Sequence, residues 1–180
     1  GENNTVLNSF IAEIRDARIQ KDRLRFRTNL ERVGQVFAYE ISKTLDYSEK
    51  AVTTPLGVAT VATPDSPLVI ATILRAGLPL QKGMLDFFDR ADTAFLAAYR
   101  KYGKGDYVEL RSDYCNCPSV EGKVLILADA MLATGASIEI ALQHLFEQSG
   151  LPAHVHLVSP VASRYAVDQL CQKLDGRYTL

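Results

Sequence analysis

Hydrophobic positions near the N-terminus recur at helical spacing, whereas those in the rest of the chain form short runs. Spacings of three and four residues predict two helices. Their apolar positions are Leu7, Phe10, Ile11 and Ile14 in the first, and Phe26, Leu30, Val33, Phe37 and Ile41 in the second. Two β-type runs follow at 50–54 and 57–63. We expect the residues at about 1–45 to form a helical arm.

The remainder of the chain alternates apolar runs with helical patterns. The runs predict strands at 68–73, 93–99, 124–128 and 155–160, and residues 177–180 resemble the start of another. The helical patterns lie at 77–88, at 163–173 and after Ser137, where Ile138, Ala141, Leu142 and Leu145 form an apolar face. Polar residues 103–123 predict a long hairpin or flap. Strands alternating with helices predict one α/β domain over residues 1–180, with a mostly parallel sheet.

Composition mainly excludes classes of partner. A net charge of −1 gives no electrostatic footprint for nucleic acid or an anionic membrane surface. No apolar run approaches the roughly 20 residues of a membrane span, and the N-terminus lacks the pattern of a signal peptide. Three cysteines, an odd and small number, favour a reducing compartment, so we expect a cytoplasmic protein.

Two pairs of side chains resemble metal half-sites. Cys115 and Cys117 would need two further zinc ligands, and no second Cys or His pair has supporting spacing, so we interpret them as ordinary loop thiols. His154 and His156 share one face of a predicted strand, and we interpret them as a surface pair at its start. No protein metal ligand is predicted from either pair.

The stretch ILADAMLATGAS, residues 126–137, carries the first candidate chemistry. Asp129 ends a buried strand, a turn of small residues follows at 133–136, and a helix begins near Ser137. Ligands of α/β sheets lie beyond the carboxyl ends of the strands, and N–H groups at a turn and a helix start bind phosphate. Thr134 and Ser137 add hydroxyl donors. In the alternative interpretation, Asp129 simply caps the helix of an ordinary connection.

A phosphate in this loop would repel Asp129, so the carboxylate should face donors such as sugar hydroxyls. A second strand-end turn carries Arg75, Ala76 and Gly77, and a third strand ends near Arg100 and Lys101. Arginine suits bidentate contact with phosphate oxygens. The sequence therefore predicts a ribose 5-phosphate group with further phosphate at a second place.

DAMLATGAS, residues 129–137, resembles the phosphoribosyl-pyrophosphate loop of type I phosphoribosyltransferases, and most closely the D-P-M-L-A-T-G-G-S of the uracil phosphoribosyltransferases. ILRAGL resembles the pyrophosphate-side loop of that family. FR at 26–27, AYE at 38–40, TPL at 54–56 and YR at 99–100 also match, in family order. The similarity runs from about Ile14 to Leu180.

This resemblance implies a Rossmann-like phosphoribosyltransferase fold and the transfer of phosphoribose to uracil, giving UMP and pyrophosphate. It implies Mg²⁺, small-molecule substrates and a homodimer or higher oligomer, with the helix from Phe26 to Ile41 and the following β-type runs as the interface. Asp129 would be catalytic. The 5-phosphate would be held by Met131, Leu132, Ala133, Thr134, Gly135, Ala136 and Ser137, and pyrophosphate by Arg75, Ala76, Gly77 and Arg100.

The chain departs from the family pattern at several positions. Ala130 replaces a proline, Ala136 replaces a glycine and could weaken phosphate binding, and Val161-Ala162 replaces Glu-Gly. The family's C-terminal segment, which recognises uracil, is not found in these residues, so base specificity stays open. Another nucleobase phosphoribosyltransferase, or a regulator that binds the ribosyl ligand without turnover, are the alternatives.

Overall fold

The computed structural model describes residues 4–102, 108–173 and 178–180, and describes no side chains at 98–102 and 108–113. The helices are α1 (Leu7–Arg15), α2 (Arg23–Ser42), α3 (Leu78–Leu85), α4 (Ala136–Ser149) and α5 (Arg164–Lys173), with a 3-10 turn at Ile19–Lys21. The strands are β1 (Tyr47–Thr54), β2 (Gly57–Pro64), β3 (Leu68–Leu74), β4 (Asp92–Tyr102), β5 (Val108–Asn116), β6 (Val124–Ala128), β7 (His154–Val158) and β8 (Tyr178–Thr179). The predicted alternation of strands and helices is confirmed.

In the part of the chain that the structure describes, six strands form the main sheet in the order β5-β4-β3-β6-β7-β8, parallel except for β5. Thr72 of β3 pairs with Ala128 of β6, which in turn pairs with Val158 of β7. These central strands therefore end at one edge of the sheet. The turns that follow them carry the candidate site residues.

The central strands are buried on both faces, as their continuous apolar runs predicted. In β3, Val69, Ala71 and Ile73 pack in the cluster that includes α4 and α5. Ile70, on the opposite face, packs in the cluster that includes α1, α2 and α3. Side chains of a strand alternate between faces, so one run supplies both halves of the core.

Helices α2 and α3 cross at very close range, and the crossing fixes the arm on the sheet. A Cβ at Gly34 would meet the backbone of Leu80, and one at Gly83 would meet the carbonyl of Glu31. Buried Gln81 then donates from Nε2 to the carbonyl of Ile70 at 2.8 Å. The apolar face of α2, in the predicted N-terminal arm, is therefore part of the core.

Two regions contain β-hairpins. Strands β1 and β2 pair antiparallel as a separate two-stranded sheet, and most of their residues are exposed. Strand β5 lies in the predicted excursion at 103–123 and pairs antiparallel with β4, which confirms the hairpin interpretation. Residues 103–107 lie outside the described part of the chain.

The interpretation of two side-chain pairs needs correction. His156 is not a surface residue, because β7 lies inside the sheet and leaves its side chain only 5% exposed. Cys115 belongs to β5 and Cys117 follows it directly, and both are half-buried against the core. Burial raises the pKa of both thiols, so neither is an activated nucleophile. Cys115 is a strand residue, whereas Cys117 lies in the loop after β5, as predicted.

Candidate active site

Asp129 follows β6 at the edge where the central strands end. Its N–H donates to the carbonyl of Val158 at 3.1 Å, which continues the pairing with β7 by one step. The N–H groups of Ala130 and Met131 donate to its carboxylate. Burial raises the pKa of Asp129 and these two donors oppose the rise. Asp129 does not cap α4, whose N-cap is Gly135, so the alternative interpretation of this residue is wrong.

Residues 131–137, for which phosphate binding is predicted and which we call the phosphate loop, lead from Asp129 into α4. Gly135 has a φ of 83°, the left-handed region that other residues rarely adopt, and it turns the chain into the helix. Thr134 Oγ1 accepts a bond from the N–H of Ala136 at 3.4 Å. Among the described residues, none accepts from the N–H groups of Ala133, Thr134 or Gly135. Free N–H groups beside the positive end of a helix form an anion site.

This loop borders a small concavity of about 110 Å³. Its lining residues are Asp129, Met131, Leu132, Ala133, Thr134, Gly135, Ser137 and Ile138. One carboxylate therefore shares a concavity with backbone and hydroxyl donors. The combination suits a ligand that carries both an anion and neutral hydroxyl groups.

Three residues of the predicted loop differ in what they can contribute to ligand binding. The side chain of Leu132 is 1% exposed and packs in the core, so only its backbone can serve a ligand. The side chain of Met131 is 63% exposed beside Asp129. Ala136 is the first residue of α4, where its methyl group adds bulk at the helix start.

The connection between β7 and α5 braces the phosphate loop from behind. The N–H of Leu132 donates to the carbonyl of Val161 at 2.9 Å, and the N–H of Ser163 donates to the carbonyl of Leu132 at 2.9 Å. Ser163 Oγ donates to the carbonyl of Ala133 at 2.6 Å. Sequence reasoning missed these braces, because nothing in the local pattern relates residues about thirty positions apart.

The turn between β3 and α3 lies at the same edge of the sheet. Arg75 and Ala76 are exposed there, and the guanidinium of Arg75 forms no hydrogen bond or ion pair with any described residue. Gly77 is buried, and a Cβ on it would lie 2.8 Å from the carbonyl of Ala128, directly before Asp129. Only glycine lets the two turns approach so closely. The side chain of Arg100, near the end of β4, lies outside the described part of the structure.

Comparison with known proteins places the chain among its relatives. The family model for uracil phosphoribosyltransferase matches residues 2–177. A uracil phosphoribosyltransferase of Porphyromonas gingivalis is 48% identical over 170 residues, which are 94% of this chain and 78% of that protein. One from Methanothermobacter thermautotrophicus is 33% identical over 160 residues, covering 88% and 73% of the two chains.

Solved structures agree with the fold. A protein from Aquifex aeolicus superposes with a TM-score of 0.84 at 26% identity, over 98% of this chain and 81% of that one. A purine phosphoribosyltransferase from Pyrococcus horikoshii has a TM-score of 0.54 at 9% identity, over 84% and 81%, which shows likeness of fold alone. With the matching family model and the 48% identical relative, the chain belongs to the uracil phosphoribosyltransferase family.

Proposed function

We propose that this protein transfers phosphoribose from phosphoribosyl pyrophosphate to uracil, giving UMP and pyrophosphate. The observation that carries the proposal is the loop beside Asp129, with three N–H groups that no described residue accepts from, in a chain of this family. N1 of uracil forms a bond to C1′ of the ribose as the bond from C1′ to the pyrophosphate oxygen breaks. Pyrophosphate leaves with the electron pair, and the N1 proton passes to solvent.

Each group has a role that follows from its chemistry. The phosphate loop holds the 5-phosphate through N–H and hydroxyl donors. Asp129 holds the ribose hydroxyl groups and stabilises positive charge that develops on the ring as the C1′ bond breaks. Arg75 and Arg100 hold the departing pyrophosphate, for which the exposed, unpaired guanidinium of Arg75 is suited. Positioning and charge stabilisation are the main demands of this reaction, since no protein nucleophile takes part.

The residues at this edge of the sheet fit a Mg²⁺ ion that binds together with the substrate. It keeps several waters and binds through one or two carboxylates and substrate phosphates. Asp129 is a carboxylate at the edge where the pyrophosphate would leave, and no group of three or more candidate ligand side chains occurs among the described residues. When bound, the ion would neutralise charge on the pyrophosphate.

We also propose a cytoplasmic homodimer. The described part of the chain contains no helix long and apolar enough to cross a bilayer. Three free thiols are compatible with a reducing compartment. The β1–β2 hairpin is the candidate interface, because the described part of the chain leaves its valines exposed.

The test is a turnover assay with phosphoribosyl pyrophosphate and a panel of pyrimidine and purine bases. Formation of UMP with uracil, and little product with hypoxanthine or guanine, is the expected result. Turnover of a purine but not uracil would assign the protein to a different base. Tight binding of phosphoribosyl pyrophosphate without turnover of any base would instead favour a regulator.

A further inference from the structure

We propose that Ser163 is a positioning residue for the phosphate loop. It holds two successive carbonyl groups of the loop on the side away from the substrate, and so presents two N–H groups to the 5-phosphate. This inference rests on the proposed function, since it names a residue that prepares the same site. Ser163 lies outside the motif that carries the family resemblance.

The two contacts of Ser163 fix the orientation of neighbouring peptide units. Its N–H donates to the carbonyl of Leu132 at 2.9 Å, and its Oγ donates to the carbonyl of Ala133 at 2.6 Å. In a trans peptide unit, the C=O and the following N–H point in opposite directions. The N–H groups of Ala133 and Thr134 therefore point away from Ser163. These are two of the three groups that have no acceptor among the described residues.

The orientation matters because the same peptide unit can attract or repel an anion. An N–H that faces a phosphate binds it, whereas a carbonyl oxygen in that place would repel it. The loop is built from small residues, which gives its backbone little steric guidance of its own. Holding the carbonyls in advance removes the ordering cost that the ligand would otherwise meet, which is how preorganisation raises affinity.

Ser163 is itself held firmly, so it can act as an anchor. Its Oγ accepts from the N–H of Ala166 at 3.0 Å, and its carbonyl accepts from the N–H of Val167 at 3.1 Å. A hydroxyl has one proton to donate, and here that proton is used on Ala133. Helix α5 is in turn anchored in the core by Leu170, which would lie 3.3 Å from a Cβ at Gly135.

Capping of α5 is the competing explanation for this serine, and a set of variants separates the two roles. Ser163→Ala removes the bond to Ala133 and the cap together. Ser163→Thr keeps a hydroxyl for both. Ser163→Gly removes the hydroxyl but costs a helix cap little. Asp22→Ala is the matched control, because Asp22 caps α2 through the N–H groups of Leu24 and Arg25, on a helix that does not contribute to the phosphate loop.

The measurement is the equilibrium affinity of the full chain for ribose 5-phosphate, phosphoribosyl pyrophosphate and pyrophosphate, by titration calorimetry. We expect Ser163→Ala and Ser163→Gly to weaken both sugar phosphates by the same factor, about three- to tenfold, from the loss of one hydrogen bond. Pyrophosphate affinity should be unchanged. Ser163→Thr should restore wild-type binding, and Asp22→Ala should lower the melting temperature without altering any affinity.

Three outcomes overturn the inference alone. The first is wild-type affinity for the sugar phosphates in Ser163→Ala and Ser163→Gly, and the second is an equal loss for all three ligands. Equal weakening in Asp22→Ala would also overturn it, since general destabilisation would then explain the effect. A wild-type protein that binds neither sugar phosphate overturns the proposed function, and this inference with it.

Discussion

At the scale of single residues, the charge that we propose for Asp129 in catalysis has a cost in stability. Burial raises its pKa above the ordinary value of 3.8, so the folded protein holds the protonated form more readily than the unfolded chain does. Stability from this group is therefore present below about pH 3.8 and is lost as the pH rises through the folded pKa. At neutral pH the ionised carboxylate lowers the free energy of unfolding, a cost that is typical of residues kept for activity.

Asp129→Asn keeps the shape of the side chain but removes its charge, so it should change turnover and stability in opposite directions. We expect turnover to fall on the order of 10²-fold or more, since a preorganised electrostatic contact is lost. We expect the free energy of unfolding at pH 7 to rise, with the gain shrinking toward pH 4. Asp168→Asn, on the exposed face of α5, is the control and should change neither quantity. Near-normal turnover in the Asp129 variant would remove the assigned role.

Arg75 should discriminate between ligands that differ only in the pyrophosphate. Arg75→Ala is expected to weaken phosphoribosyl pyrophosphate by about tenfold or more and to leave ribose 5-phosphate nearly unchanged, because a charge-assisted contact to phosphate is lost. Arg90→Ala is a matched control, since Arg90 is also exposed but lies before β4, at the opposite edge of the sheet. An equal loss of affinity for the two ligands would show that Arg75 does not contact the pyrophosphate.

At the scale of elements, the crossing of α2 and α3 depends on two glycines. Gly83→Ala would place a Cβ against the carbonyl of Glu31, where backbone cannot move aside cheaply. We expect a loss of about 1–3 kcal/mol or more in the free energy of unfolding, measured in urea. Arg23→Ala, an exposed change in α2, should have little effect. An unchanged free energy of unfolding in Gly83→Ala would show that α2 and α3 do not cross at such close range.

The elements themselves were largely predictable, because burial on both faces leaves a signal in the sequence. The run VLILA is strand β6 over the predicted residues, and the apolar face of α4 is the predicted one. The crossing of α2 and α3 was not predictable, because a glycine in a helix does not say which backbone it touches. The brace by Ser163 was missed for the same reason, as was the burial of His156 beneath the α2 side of the sheet. Contacts between distant segments carry no local pattern.

Strand β7 should make the fold sensitive to acid through His156. Burial, and then the charge of nearby His154, lower the pKa of His156 from 6.5 to about 4. Between pH 4 and pH 6.5 the unfolded chain takes up this proton more readily than the folded protein does. The contribution of His156 to the free energy of unfolding is therefore complete above pH 6.5 and falls as the pH drops toward 4. The total loss is on the order of 3 kcal/mol. The imidazole of His156 borders a surface groove that Glu40, Thr44 and Thr179 also line.

The pH dependence of urea unfolding tests this assignment. We expect wild type to lose about 2 kcal/mol more between pH 7 and pH 5 than His156→Leu, which cannot take up the proton. His144→Gln removes a half-buried histidine of α4 that does not line this groove, and it should keep the loss between pH 7 and pH 5 that His156→Leu removes. The same slope in His156→Leu as in wild type would show that His156 does not set the acid sensitivity.

At the scale of the whole molecule, the other described residues give the β1–β2 hairpin little packing. An isolated two-stranded hairpin is marginally stable in water. Here Val52 is 41% and Val58 is 72% exposed, and Leu56 at the tip is fully exposed. Much of the apolar face of α2 packs in the core, although Tyr39 is 55% exposed, so of the two predicted interface regions we test the hairpin first.

We therefore expect the hairpin to pack against a second copy of the chain, and Val58→Glu to disrupt that contact. Burying an unpaired carboxylate costs far more than the valine contributes, so the mass by light scattering should fall from dimer to monomer at micromolar concentration. Val6→Glu is the control, because Val6 is 63% exposed beside α1, outside the hairpin. It should leave the dimer intact. A wild-type monomer, or a Val58→Glu protein that stays dimeric, would place the interface elsewhere or remove it.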